Sequence, residues 1–188
     1  AVLFGDASGH GMAAGLVMAV AHAGFRTQLE TDPSPEAVIP AINRLLCRTG
    51  GARAFFSCVY LLASPDGSFS ITVAGHPEVL KIDRQGLVLE RHGKGSYPLG
   101  IRSTIAWPIE HSALAPGETL VLYSDGLTEA RNAAEEEFGE DRLEGTLRLF
   151  AASSSAASLT AELSTAVTRF CGGVAPEDDV SISVIRRR

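Results

Sequence analysis

Three aspartate positions stand where apolar runs begin or end. There a carboxylate is held by a rigid frame yet projects into a cleft. The run "VLFGD" delivers Asp6, "TLVLYSDG" delivers Asp125, and "PEDDVSISV" places Asp178 and Asp179 at the entrance to a final run. Several carboxylates converging on one cleft repel one another unless a cation lies between them. Hard divalent ions such as Mg2+ or Mn2+ take oxygen ligands and keep several waters. The pattern therefore points to a carboxylate site for one or two hard metals. Taken singly, each aspartate is as readily a turn residue, because Asp before Gly and Asp at loop–strand junctions are common. The chemical reading rests on the conjunction of the three.

The opening stretch "VLFGDASGHGMAAGL" sets Asp6, Ser8 and His10 among Gly5, Gly9 and Gly11. Gly9 and Gly11 suit positive φ and a backbone that passes close to metals. A serine nucleophile elbow needs glycines where Asp6 and His10 stand. No Gly-Lys-Ser/Thr run marks a phosphate-binding loop, and "SPDGSFS" lacks the ligand series of a calcium-binding EF-hand. His10 has two readings: an acid that protonates a leaving oxygen, or a ring bonded to nearby backbone. His76, in "AGHP", is expected to lock a strand-end turn.

The elements that must carry these residues follow from the apolar pattern. "AVLFG" reads as a short buried strand. "MAAGLVMAVAHAGFRTQLE" reads as a helix whose apolar residues nearly encircle it, which implies packing against a sheet rather than a surface position. A second helix follows "DPSPE", with Ser34 before it and Pro35 at its first position. "ARAFFSCVYLLA" and "SFSITVAG" are strands joined by the hairpin turn "SPDG". "EVLKIDRQGLVLERHG" is a second hairpin, turning at Arg84-Gln85-Gly86. "STIAWPIEHSAL" and "ETLVLYSDG" supply two more strands, "EFGEDRLEGTLRLFAA" and "SLTAELSTAVTRFCGG" two amphipathic helices, and "DVSISVIRR" a closing strand of period 2. "AASSSAAS" reads as a loop. The order lacks the regular βαβ alternation of a Rossmann sheet and favours stacked sheets covered by helices.

Composition narrows the classes. At 188 residues the chain suits one domain. Its 45% hydrophobic and 20% charged residues are ordinary for a globular core and argue against disorder. A formal net charge of −6 argues against nucleic acid or an anionic membrane as main partner. Arg186 to Arg188 read as a solvated tail. Cys47, Cys58 and Cys171 are odd in number, widely spaced and without a CxxC pair. That supports neither a disulfide framework nor a zinc knuckle, and fits a reducing, cytoplasmic setting. No uninterrupted apolar run reaches the ~18–20 residues of a membrane span. The chain opens without Met, inside what looks like a strand, and is read as a piece of something longer.

Taken together, "DASGHG", "TVAGHPEVL", "YPLGI", "LVLYSDGLTEARN" with "EEFGEDRL", and "EDDVSISV" resemble one family. They are similar, in order and over nearly the whole chain, to the motifs of bacterial PPM-type Ser/Thr protein phosphatases of the sporulation stage II protein E class, relatives of type 2C phosphatases. Glu78 replaces the second Pro usual in the A-G-H-P-P segment. The resemblance implies residues 1–188 form a PPM-type phosphatase domain. It implies an α+β fold: a four-layer α/β/β/α sandwich of two antiparallel sheets flanked by helices, with two Mn2+ or Mg2+ ions in the complete domain. By the same resemblance Asp6 bridges both metals, the Ala7 carbonyl is a further ligand, and Asp125 and Asp178 complete the cluster. Asp179, Gly9 and Gly126 would stand behind the ligands. The implied reaction is hydrolysis of phosphoserine or phosphothreonine on an anti-sigma-factor antagonist (STAS-type) protein, with a sensor domain upstream.

One departure bears on both chemistry and fold. The class carries a G-G-D-x-x-D segment on a strand before "VLFGDASGHG", and its first Asp is a ligand. Nothing precedes Ala1 in this sequence. The sandwich is thus expected to lack at least one N-terminal strand here, and three outcomes are compatible with that: weak metal binding or none, a homodimer that covers a bare sheet edge, or an upstream segment supplied elsewhere. A catalytically weak or inactive phosphoprotein-binding module is the alternative to the enzyme. A small-molecule phosphomonoesterase would use the same metals.

Overall fold

The structure is a computed structural model and describes residues 1–49, 54–152 and 155–188. In chain order the elements are β1 (Val2–Ala7), α1 (Gly11–Leu29), α2 (Pro35–Thr49), β2 (Phe56–Ala63), β3 (Ser68–Ala74), β4 (Val79–Ile82), β5 (Val88–His92), β6 (Glu110–Ala113), β7 (Thr119–Tyr123), α3 (Asp125–Thr128), α4 (Gly139–Phe150), α5 (Ala156–Cys171) and β8 (Ile182–Arg186). They form two antiparallel four-stranded sheets with flanking helices, an α+β fold as expected. The chain divides into two units. One comprises Ala1–Glu78 with His92–Ala113; the other comprises Val79–Arg91 with Leu114–Arg188.

The first unit holds the sheet β1-β2-β3-β6. The β2–β3 turn forms at "SPDG" as expected: the Gly67 N–H donates to Ser64 O, and Gly67 adopts φ 92°. Helices α1 and α2 cover one face. Their buried Val17, Ala21, Val38, Ile42 and Leu46 pack on Ala7, Cys58, Tyr60 and Ala74. Strand period 2 sets these sheet residues on a single face. Buried Asn43 ties α2 to the "YPLGI" loop: its amide donates to Arg102 O at 2.9 Å and accepts from Gly100 N at 2.8 Å. Pro40 lies inside α2, so it has no N–H to offer the carbonyl of Glu36 one turn earlier.

The second unit holds β5-β4-β7-β8. The β4–β5 turn forms where expected. Asp83 organises it by accepting from the Gln85 and Leu87 N–H groups, each at 2.8 Å. Helices α4 and α5 pack Leu143, Leu147, Leu159, Leu163 and Val167 on Leu80, Ile82, Val121 and Tyr123. The stretch "AASSSAAS" is less of a loop than expected. Ser155 caps α5 in a reciprocal pair with Ser158, and the helix starts at Ala156; residues 153 and 154 lie outside the described set.

Several expectations are corrected. Helix α1 packs on the sheet as expected, but not on every face: Val17, Ala21 and Gly24 form its buried stripe, while Met12 and Leu16 are 85% and 63% exposed. An all-round apolar composition does not by itself bury every face. Strand β1 is half-buried through Val2–Gly5, at the edge of its sheet. "STIAWPIEHSAL" yields a strand only over Glu110–Ala113. "ARAFF" becomes strand at Phe56, and residues 52 and 53 lie outside the described set. The terminal arginines are not all a solvated tail. Arg186 donates to Thr119 Oγ1 and Ala151 O, and Arg187 to Leu114 O. Both side chains satisfy acceptors contributed by distant parts of the unit. No helix of the described residues is long and apolar enough to cross a membrane.

The cysteines yield a first prediction. Cys58 is fully buried in β2, and burial pushes its thiol up; Cys171 is buried in α5, and Cys47 is half-buried. The thiolate is the reactive form. A disulfide reagent is expected to modify Cys47 first in the native chain, and all three cysteines in denaturant. Prompt modification of Cys58 in the native chain would contradict this packing.

Candidate functional site

In the first unit, β1 carries Asp6 and Ala7 on a fully paired ladder: Asp6 faces Ser57 and Ala7 faces Phe56 across β2. Ser8 extends the pairing. Its N–H donates to Phe55 O at 3.0 Å, and its hydroxyl accepts from Phe55 N at 2.9 Å. The chain is thus fixed until it turns at Gly9. Ala7 is buried beneath the helices, whereas Asp6, on the opposite strand face by period 2, is exposed. Gly9 and Gly11 adopt φ 83° and 70°, and a Cβ at either would meet nothing within 4 Å. Conformation, rather than close approach of other residues, requires glycine there. His10 is the exposed N-cap residue of α1 and makes no side-chain capping bond. His76 is buried, with Nδ1 3.3 Å from Pro77 O and its ring edge-on to Phe4 at 5.3 Å, consistent with locking a turn.

In the second unit, β7 and β8 pair antiparallel with Tyr123 opposite Ile182. This register brings the end of β7 and the start of β8 together. Asp125 opens the short α3 turn directly after Ser124, rather than ending the strand itself. Its Oδ1 accepts from the Gly126 N–H at 3.0 Å. Asp178 Oδ1 accepts likewise from the Asp179 N–H at 2.8 Å. Both carboxylates are exposed. Gly126 is buried and packs on the 178–179 backbone: a Cβ there would sit 2.5 Å from Asp179 O and 3.1 Å from its carbonyl carbon. The structure thus joins Asp125, Gly126, Asp178 and Asp179 at one sheet end, and holds Asp6, Ala7, Gly9 and His10 at the end of β1. Among the described residues, no group of three or more His, Cys, Asp or Glu side chains is gathered tightly enough to hold a metal.

One residue was missed by sequence reasoning. Ser124 Oγ donates to Asp179 O and accepts from Ser181 N–H, both at 2.9 Å. Its own N–H donates to Ser181 O at 3.0 Å. Buried Ser124 therefore staples the aspartate pair to the end of β7. The signal was the hydroxyl residue immediately before Asp125. Ser124→Ala leaves the Ser181 N–H short of its partner, an expected cost of ~1–3 kcal/mol. Chemical denaturation is expected to show that loss as a lower midpoint. An unchanged midpoint would contradict the staple.

The donor chemistry fits a hard divalent cation. Asp125 and Asp178 offer oxygen only, and ions of the Mg2+ type bind through one or two carboxylates while keeping waters. Asp6 and the Ala7 carbonyl are oxygen donors of the same kind.

This architecture is that of a PP2C (PPM) phosphatase domain. The SiaA-PP2C domain of Pseudomonas aeruginosa matches with TM-score 0.82 and 21% identity, over 99% of this chain and 76% of that one. The RsbU and RsbW domains of Rv1364c from Mycobacterium tuberculosis match with TM-score 0.77 and 24% identity, over 99% of this chain and 52% of that one. The PP2C phosphatase domain of SpoIIE from Bacillus subtilis, with a fragment of its regulatory domain, matches with TM-score 0.78 and 18% identity, over 98% and 53%. Among curated proteins, Protein IcfG of Synechocystis sp. is 29% identical over 107 residues, 56% of this chain and 17% of that protein. The chain thus spans about a sixth of that relative and about half of the Mycobacterium chain. The Stage II sporulation protein E (SpoIIE) profile matches residues 1–188, and the chain belongs to this family.

Proposed function

We propose that this chain is the phosphatase domain of a metal-dependent protein serine/threonine phosphatase acting on a phosphorylated regulatory protein. The observation that carries the reading is the SpoIIE match across residues 1–188, with Asp6 in β1, Asp125 just after β7 and Asp178 in the segment leading to β8 all present. Asp125 and Asp178, with Asp6 and the Ala7 carbonyl, would hold two Mn2+ or Mg2+ ions. Such ions, when bound, lower the proton affinity of water and offset phosphoryl charge.

The chain's own residues have distinct tasks in this reading. Ser124 and the Gly126 contact fix the Asp125–Asp178 pair, so little reorganisation is needed when phosphate arrives. The paired ladder at Asp6 and Ala7 does the same for the other ligands. His10, exposed beside that ladder, would give a proton to the departing serine or threonine oxygen. No Ser or Cys nucleophile is required. The substrate is a phosphorylated STAS-type anti-sigma-factor antagonist in the cytoplasm, and a sensor domain would lie in the longer protein. The occurrence of an RsbW domain and a regulatory-domain fragment beside the matched domains of structural neighbours supports such a multidomain setting.

A second reading, a phosphoprotein-binding module without turnover, is favoured by one observation: no gathered trio of ligands among the described residues. Phosphate release with Mn2+, measured on the full-length protein, separates the two. Faster hydrolysis of a phosphoserine STAS-type protein than of a small phosphate ester supports the protein phosphatase. Tight binding of that protein without release supports the module. Equal rates on both substrates support a general phosphomonoesterase.

A further inference from the structure

Strand β2 is entered through two phenylalanines with opposite burial. Phe56 is 1% exposed in the core beneath α1 and α2, whereas Phe55 is 39% exposed. Ala7 and Phe56 face each other across β1 and β2, and both lie in that core. By period 2, Asp6, Ser8, Phe55 and Ser57 therefore project from the opposite face of the sheet. Asp6 stands opposite Ser57. Phe55 is thus its diagonal neighbour, a separation of ~7–8 Å that aromatic side chains span. The backbone beneath the ring is held on both sides. Ser8 bonds both the N–H and the carbonyl of Phe55, and on the other flank Leu99 exchanges two 2.9 Å hydrogen bonds with Phe56. There the Gly100 backbone comes so near that a Cβ on it would lie 3.4 Å from Phe55 Cα.

An aromatic ring on so fixed a backbone loses little freedom when a partner covers it. In an extended peptide, the side chains two positions either side of a phosphoserine point the same way as the phosphoserine, about 7 Å from it. That spacing matches the diagonal from Asp6 to Phe55. A peptide that offers its phosphoserine at Asp6 and crosses the sheet end along this diagonal sets one of those side chains on the Phe55 ring. We propose that Phe55 is a specificity-determining residue: it receives an apolar side chain two positions from the phosphoserine of the partner protein. The assignment rests on the reading of Asp6 as part of the phosphate site.

The probes are two peptides that carry a non-hydrolysable phosphonate analogue of phosphoserine. One has leucine, the other glycine, at both positions two residues away. Calorimetric titration of the full-length protein with Mn2+ present gives the affinity ratio of the pair. The parent is expected to prefer the leucine peptide about tenfold, the effect of burying one aliphatic side chain in part. Phe55→Ala is expected to bring the ratio near one, and Phe55→Leu to keep most of it. The ratio cancels any general weakening of the site, and a melting curve of each variant reports on the fold separately. Equal affinities in the parent, or a preference that persists in Phe55→Ala, would overturn the proposal and leave the phosphatase reading standing. Failure of both peptides to bind the parent would overturn the two together. A preference lost in Phe55→Ala, in a protein that releases no phosphate from the matching phosphoserine peptide, would support the role of Phe55 and remove only the enzyme.

Discussion

Asp125→Asn is expected to lower Mn2+-dependent phosphate release from a phosphoserine protein by a factor of about a thousand or more. The substitution keeps the size of the side chain and the oxygen that accepts from the Gly126 N–H. It removes the negative charge that holds a cation. A thousandfold corresponds to about 4 kcal/mol of transition-state stabilisation, within the several kcal/mol that a bound metal contributes. The fold is expected to survive: Asp125 is exposed, and the core of its unit is built from Val121, Tyr123 and Leu127 on either side. Circular dichroism and a melting curve beside the rate measurement separate loss of chemistry from loss of structure. Equal rates for variant and parent at saturating Mn2+ would remove Asp125 from the mechanism.

Gly126→Ala is expected to raise the Mn2+ concentration for half-maximal binding by about 10–100-fold, the range typical when a group supporting a metal ligand is disturbed. The backbone of Gly126 does not lie in the left-handed region, so conformation is no obstacle to alanine. The obstacle is the Asp179 carbonyl, 2.5 Å from the new Cβ. Backbone on both sides leaves nothing flexible to yield, so the 178–179 segment must shift away from Asp125. Gly9→Ala is the contrasting case. Its Cβ meets open space, but φ of 83° strains any L-residue, at a cost of ~1–3 kcal/mol. Calorimetric Mn2+ titration should therefore find a large affinity change for Gly126→Ala. Gly9→Ala should appear chiefly as a lower melting temperature. Unchanged Mn2+ affinity in Gly126→Ala would mean that the Gly126–Asp179 packing does not set the ligand.

What could be read from the sequence was local. The hairpins at "SPDG" and "DRQG" formed as expected because Gly67, Gly86 and Asp83 set those turns within a few residues. The ends of β1 and β7 were legible because Asp6 and Asp125 close strong apolar runs. What escaped depends on partners far along the chain. The Ser124 staple joins residues 55 and 57 positions away. Arg186 finds Thr119, 67 positions back, and so is no solvated tail. Helix α1 packs on its sheet as its apolar composition implied, but that composition overstated its burial, since Met12 and Leu16 stay exposed.

The central claim is that Asp6 joins Asp125 and Asp178 around shared divalent ions. Crystals of the full-length protein grown with Mn2+, measured at the manganese absorption edge, locate the metal directly. The account predicts anomalous peaks within coordinating distance of all three carboxylates. Manganese bound elsewhere, or a peak on Asp125 and Asp178 with the Asp6 carboxylate out of reach of every ion, would contradict it.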